Sequence, residues 1–250
     1  MLRLPETYII CGANSMIGSH LARRLVDEVQ NLVLCYHENT DRIVDLFTCK
    51  NVYHFALDIT DFDSLQSDFR KLKCELDIKD LGAVFFPAVR SEDHQPLADT
   101  CLDLTRKIID VNLLGSIHFL KAVLTLNKDI NSTRIVLLGS NVSRTGLKYG
   151  AVYAATKAAM ANLVRSVSME EGLNRTLVNI LSPGPVESEI KHAREDYAQF
   201  RTEYFETKRL QTSLNKLATP DDVCSMIWYL TSLENGYITG EEIYLTGGGM

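Results

Sequence analysis

The 250-residue chain has no Cys-x-x-Cys pair among its six cysteines, no long apolar run, no block of like charge and no proline-, glycine- and serine-rich stretch. Scattered cysteines (Cys11, Cys35, Cys49, Cys74, Cys101, Cys224) in a chain long enough for a full core read as reduced thiols, and no metal site is called for. The longest apolar stretch, Ala83 to Phe86 running on through Pro87 to Val89, falls far short of the roughly 20 residues that cross a bilayer, so no membrane-spanning helix is expected. The opening Met1-Leu2-Arg3-Leu4-Pro5-Glu6 has no apolar core and breaks at a proline. No secretory signal is expected there, and the expected location is cytoplasmic. The net charge of −6, from 26 basic and 32 acidic residues, is spread along the chain and argues against a nucleic-acid or anionic-membrane surface.

What the chain does have is alternation. Short β-branched or aromatic runs at Thr7–Cys11, Leu32–Tyr36, Val52–Leu57, Ala83–Phe86, Arg134–Leu138, Leu177–Leu181 and Glu242–Leu245 read as strands. Between them lie segments of helical period at Met16–Glu28 and near 62–74, 100–126, 153–171 and 220–231. Thr219-Pro220-Asp221-Asp222 predicts the start of the last helix, with a capping hydroxyl, proline at the first helical position and acids on the positive dipole end. No linker divides the chain, so the pattern predicts one α/β domain over residues 1–250, a doubly wound sheet of about seven parallel strands with helices on both faces. Ligands of such sheets sit beyond the carboxyl ends of the strands, and those positions are the ones to inspect.

After the first strand comes Cys11-Gly12-Ala13-Asn14-Ser15-Met16-Ile17-Gly18, a glycine turn opening a helix. Glycine permits the tight turn, and the helix start offers unpaired N–H groups to a phosphate. Two glycines six apart are equally compatible with plain turn chemistry. Asp58, after the third strand, can accept from an adenine amino group or cap the helix that follows. Tyr153-Ala154-Ala155-Thr156-Lys157 places a phenol and an ammonium one helical turn apart, and a nearby cation eases the loss of a phenolic proton. Chance supplies such pairs too, and a second occurs at Tyr204 and Lys208. Context separates them: Ser140 follows a strand thirteen residues before Tyr153, whereas Lys191 stands thirteen before Tyr204. Asn112 is a polar residue on the core-facing stripe of a long helix, where a buried structural hydrogen bond is the alternative.

Taken in order, the turn Gly12–Gly18, Asp58, Asn112, Ser140, Tyr153 with Lys157, Asn179-Ile180-Leu181-Ser182-Pro183-Gly184, and the ending Tyr237-Ile238-Thr239-Gly240 through Gly247-Gly248-Gly249 resemble the short-chain dehydrogenase/reductase family. The chain is similar to its single-domain ketoacyl-reductase-like branch. The resemblance implies a Rossmann-type domain and a catalytic tetrad of Asn112, Ser140, Tyr153 and Lys157. It also implies an NAD(P)(H)-dependent oxidoreductase that reduces a ketone or 3-ketoacyl-type carbonyl to a secondary alcohol. Tyr153 gives the proton, Ser140 bonds the same oxygen, Lys157 lowers the tyrosine pKa and holds the nicotinamide ribose, and Asn112 positions a relaying water. A sugar or secondary-alcohol dehydrogenase, or a silent dinucleotide-binding scaffold, are the alternatives.

Carried over in the same way, the cofactor residues are Gly12, Asn14, Ser15, Met16, Ile17, Gly18, His37, Asp58, Ala88, Lys157, Pro183, Gly184, Val186 and Ser188. Three features depart from the family pattern. Met16 replaces the middle glycine of a turn that here begins with Cys11. Phe86-Pro87-Ala88-Val89 replaces Asn-Asn-Ala-Gly, removing two amides and one N–H. Tyr36-His37 ends the second strand where NAD-preferring relatives carry an acid, and His37 with Ser15 favours NADP(H) over NAD(H). Residues 185–218 correspond to the family's substrate lid. Tyr197, Phe200, Tyr204 and Phe205 there either wall a pocket or pack the helix. Five acids balance five bases over Glu189–Arg209, which names no charged substrate. A small carbonyl or alcohol substrate and a homodimer or homotetramer, built on the helices 100–126 and 153–171, complete the expectation.

Overall fold

The computed structural model describes residues 2–87, 89, 95–126, 130–187 and 195–249. Its strands are β1 (Thr7–Cys11), β2 (Asn31–Tyr36), β3 (Val52–Ala56), β4 (Asp80–Phe85), β5 (Ser132–Leu138), β6 (Thr176–Pro183) and β7 (Glu242–Leu245). Its helices are α1 (Met16–Leu25), α2 (Phe62–Glu75), α3 (Leu102–Ile109), α4 (Gly115–Leu126), α5 (Val142–Thr145), α6 (Ala151–Glu171), α7 (Glu195–Gln211) and α8 (Pro220–Thr231). All seven strands are parallel, in the order β3-β2-β1-β4-β5-β6-β7.

Side-chain alternation along each strand sorts the core into two halves. Ile9, Cys11, Val33, Cys35, Leu81, Ala83, Phe85, Ile135, Leu137, Val178 and Ile180 point to one face, where α2, α4 and α6 cover them. Tyr8, Ile10, Leu32, Leu34, Val84, Phe86, Val136 and Leu181 point to the other, against α1 and α8. Both faces are buried, which is why the strands read as near-continuous apolar runs rather than as polar-apolar alternation.

The helix starts obey local chemistry. Ser15 caps α1, its Oγ accepting from Gly18 N at 3.1 Å, and Asp61 caps α2 through Ser64 N at 3.1 Å. At α8 the capping box forms in full, with Thr219 Oγ1 accepting from Asp222 N and the Asp222 carboxylate accepting from Thr219 N. The run 102–126 is not one regular helix: Asp110–Leu114 form a π-helical turn between α3 and α4. By length and composition Leu102–Leu126 is apolar enough to cross a membrane, at a mean hydropathy of 1.4, which the strand-by-strand reading of apolar runs missed. In the fold its Ile108, Phe119, Leu120 and Val123 are spent on the core. All six cysteines are free thiols, and burial raises the pKa of Cys11 and Cys224 to about 12 and that of Cys35 well up.

The order reverses between β1 and β4, which opens a crevice at the strand carboxyl ends. The parallel register brings the residues after β1, β4, β5 and β6 to that same edge.

Candidate active site

A cleft of about 820 Å³ occupies this crevice. Ser15, Met16 and Ile17 wall it from the first turn of α1, Phe86 and Pro87 from the end of β4, and Gly139 to Val142 from the end of β5. Tyr153 and Lys157 come from α6, and Pro183 to Val186 from the end of β6. Ser140, Tyr153 and Lys157, separated in sequence, therefore share one wall.

The glycine turn is built without slack. Gly12 has φ +86°, and a Cβ there would lie 2.9 Å from the Phe86 carbonyl oxygen; one on Gly18 would lie 2.4 Å from the Gly12 carbonyl oxygen. Neither glycine lines the cleft itself. Both let the chain draw close at the start of α1, where Met16 and Ile17 wall the cleft and first-turn amides have no partner within the helix. Met16 rests partly against the core cluster of α1 and α8, so the methionine is accommodated beside the turn. The cradle that only glycine fits, with a helix start at its rim, suits a dinucleotide pyrophosphate.

Lys157 is 1% exposed, and its ammonium donates to the carbonyl oxygens of Leu138 at 2.9 Å and Pro87 at 3.3 Å. A buried cation needs such acceptors. Its Nζ lies 5.5 Å from the ring centre of Tyr153, itself 7% exposed. Pro87, which removes an N–H, still supplies the carbonyl that anchors the lysine. Asn112 stands behind the wall, fully buried: its Nδ2 donates to Val89 O at 2.8 Å and to Thr156 Oγ1 at 3.4 Å, while its Oδ1 accepts from Val89 N at 3.2 Å. Both backbone groups of Val89 are thus clamped, and the loop that carries Pro87 is held against α6. The π-helical turn places that amide; π-turns are frequent at functional sites. Ser140 is half-buried, its Oγ 3.4 Å from Val142 N.

The remaining expected positions scatter. Asn14 Oδ1 accepts from Arg42 N at 2.9 Å, and Arg42 lines the cleft beside Ser15. His37 is exposed outside the wall, with Nδ1 3.8 Å from the Glu38 carboxylate. Asp58 neither lines the cleft nor caps α2: its Oδ1 takes the Thr60 N–H at 2.9 Å and the Thr60 hydroxyl at 2.7 Å, bonds that hold its pKa low. Pro183, Gly184 and Val186 do line it. Ala88 and Ser188 lie outside the described residues. Sequence reasoning missed Arg42, Lys148 and Tyr149, and set aside Tyr204 and Lys208 as an accidental pair; Arg201, Tyr204, Phe205 and Lys208 all border the cleft.

The parallel sheet with its switch-point cleft, glycine cradle and buried Tyr–Lys pair defines the class of dinucleotide-binding α/β oxidoreductases. A family model described as enoyl-(acyl carrier protein) reductase matches residues 12–249. The chain belongs to the short-chain dehydrogenase/reductase family and is an NAD(P)-dependent oxidoreductase. It is 25% identical over 241 residues to the 3-oxoacyl-(acyl-carrier-protein) reductase FabG of Vibrio harveyi, covering 96% of this chain and 95% of that one. Its fold is similar to that of ElxO with NADP bound, at a TM-score of 0.85 and 23% identity, with 98% of each chain covered. A short-chain dehydrogenase/reductase of Brucella melitensis, described as a glucose/ribitol dehydrogenase, aligns at a TM-score of 0.83 and 24% identity over 99% of this chain and 98% of that one.

Proposed function

We propose that the protein is an NADP(H)-dependent reductase that converts a ketone or 3-ketoacyl-type carbonyl to a secondary alcohol. The observation that carries this reading is the shared wall of Ser140, Tyr153 and Lys157, with the lysine buried on two backbone carbonyls below the tyrosine. Bound along the cleft from the glycine turn, the nicotinamide cofactor supplies the hydride. The chain's own groups do the rest. The Tyr153 hydroxyl donates its proton to the carbonyl oxygen, and the Ser140 hydroxyl donates a hydrogen bond to the same oxygen as charge develops there. Lys157 holds positive charge one helical turn away. Asn112 acts through the loop: by clamping Val89 it fixes the carbonyl of Pro87, which fixes Lys157. Consumption of NADPH by the purified protein across a panel of ketones and 3-ketoacyl thioesters tests the reading; activity confined to sugars or simple alcohols overturns it.

NADP(H) rather than NAD(H) is part of the proposal, with Arg42 in the role expected of His37. Arg42 borders the cleft next to Ser15, its backbone pinned by Asn14 and by the Arg23 guanidinium, which donates to the Arg42 carbonyl at 2.7 Å. An arginine placed there suits a 2′-phosphate. Arg42→Gln is expected to weaken NADPH binding by about tenfold to a hundredfold and to leave NADH binding unchanged, the worth of one or two charge-assisted hydrogen bonds. Calorimetric titration with both nucleotides checks this, and an equal loss for NADH counts against the assignment.

We also propose a homodimer or homotetramer in the cytoplasm, where the thiols stay reduced. Leu102, Ile109, Leu114 and Ile117 are 69%, 39%, 38% and 39% exposed along the 102–126 run, an apolar face that a second copy covers. Sedimentation at micromolar concentration is expected to show a species of at least twice the chain mass; a monomer refutes it.

A further inference from the structure

The closing segment from Tyr237 to Gly249 brings an acid to the back of the site. Glu242 opens β7, opposite Ile180 in the register, and its side chain is only 7% exposed. A carboxylate taken out of water needs donors. Two serines supply them to the same oxygen: Ser143 Oγ donates to Oε1 at 2.6 Å and Ser182 Oγ at 2.8 Å, the first within the short range of charge-assisted bonds. The other oxygen lies 3.8 Å from the Arg165 guanidinium of α6. Tyr244, two residues along β7, completes the group. Its hydroxyl is 3.4 Å from Ser143 Oγ, and the Arg144 guanidinium stands 5.7 Å from its ring centre.

The two serines stand at opposite ends of the turn that carries Ser140. Ser143 lies in α5, and its N–H donates to the Ser140 carbonyl at 3.0 Å. Ser182, on the neighbouring strand β6, sets its hydroxyl against Gly139 so closely that no Cβ fits there. Between them the Asn141 N–H donates to the Pro183 carbonyl at 3.0 Å. Because a carboxylate only accepts, both serine protons are committed to it, and Ser143 Oγ is left to accept from Tyr244. One residue before Ser143, the Val142 N–H donates to Ser140 Oγ at 3.4 Å. That bond uses the Ser140 oxygen as an acceptor and does not consume its proton.

For stability alone a buried carboxylate is a poor choice, since well-packed apolar side chains often hold a fold as well. What it adds is direction for the hydroxyls around it. We propose that Glu242 is a positioning residue of the reduction: gripping Ser143 and Ser182, its carboxylate holds the turn between β5 and α5 so that the Ser140 hydroxyl directs its proton at the substrate oxygen. Glu242 does not line the cleft and acts only through Ser140. This deepens the reductase reading and rests on it.

Kinetics of Glu242→Ala, Ser143→Ala and Glu242→Gln on a ketone that the wild-type protein reduces with NADPH test the proposal. Both alanine variants are expected to lower kcat by about tenfold to a hundredfold, the effect of misplacing a reacting group, while each chain still binds one NADPH at wild-type affinity. Glu242→Gln keeps an acceptor oxygen for the two serines and is expected to recover most of the Glu242→Ala loss. In a Ser140→Ala background Glu242→Ala should lower kcat no further, because its effect passes through the hydroxyl already removed. A merely structural role would instead reduce the number of NADPH sites and multiply with Ser140→Ala. An unchanged kcat in the alanine variants, or an undiminished Glu242→Ala loss on Ser140→Ala, overturns the proposal. If Glu242→Ala fails to fold, Ser143→Ala and its combination with Ser140→Ala decide by the same criteria. If the wild-type protein binds NADPH but reduces no ketone, the reductase reading itself fails, and hydrogen exchange decides the hold on the turn separately. Amides of 141–146 exchanging about tenfold faster or more in the alanine variants support it, and unchanged exchange overturns it.

Discussion

Replacing Tyr153 by phenylalanine is expected to lower kcat on any ketone substrate by about a thousandfold while NADPH affinity stays at the wild-type value. The ring is the structural part of this residue: it is 7% exposed, packs in the cluster with Ile108 and Val142, and sits over the Lys157 ammonium. Phenylalanine keeps that ring and its volume, so the fold and the dinucleotide end are untouched. What disappears is the hydroxyl that the proposed reduction uses as its proton donor, and general acid catalysis contributes on the order of 10² to 10⁴ in rate. Single-turnover kinetics with NADPH in excess separates the proton-coupled step from product release. A variant that turns over normally would show that another group supplies the proton and would remove the foundation of the reductase reading.

Gly18→Ala is expected to weaken NADPH binding by about tenfold or more and to lower Tm, although alanine is the better helix residue. Helix propensity favours the change by about 1 kcal/mol. Against it, the new methyl group would stand 2.4 Å from the Gly12 carbonyl oxygen and 2.8 Å from Ser15 Oγ. Overpacking in a closed site costs about 1–3 kcal/mol, and the atom struck here is backbone in a positive-φ turn, with no rotamer to escape into. The clash wins. The turn must move, and with it the Ser15 cap and the first turn of α1 that walls the cleft. Differential scanning calorimetry should read a drop of about 2–8 °C, and nucleotide titration the loss of affinity. Unchanged values would mean that the turn is looser than its geometry indicates.

Strand positions were legible because burial on both faces of a parallel sheet demands unbroken apolar runs, and the ends of those runs located Gly12, Phe86, Gly139 and Pro183 at one edge. The helix starts at Ser15 and Thr219 follow from residues within one turn of each other, so neighbours in sequence carry the whole signal. The long helix 100–126 was only half legible. Its apolar period runs through Asp110–Leu114, but nothing in that period announces a π-turn, and the turn is what carries Asn112 to Val89.

Phe86-Pro87 shows the opposite failure. The motif looked damaged because two amide side chains are missing, yet the group that anchors Lys157 is the Pro87 carbonyl, and every residue has a carbonyl. Side-chain identity does not report backbone acceptors. For the same reason Arg42 went unseen: it lies six residues beyond β2, and hydrogen bonds from its N–H to Asn14 and from Arg23 to its carbonyl hold it near the glycine turn.

The sequence by itself determined the alternation of strands and helices, the edge on which function sits, and the Tyr153–Lys157 pair one helical turn apart, since all of these depend on local spacing and on burial. Only the tertiary structure decided which charges face the cleft. Composition sums the acids and bases of 189–209 to zero, whereas the orientation of α7 sets Arg201 and Lys208 at the border of the cleft, which has no aspartate or glutamate among its described lining residues. A helix's rotation is set by contacts with elements far away in the chain, and that information resides in no single segment.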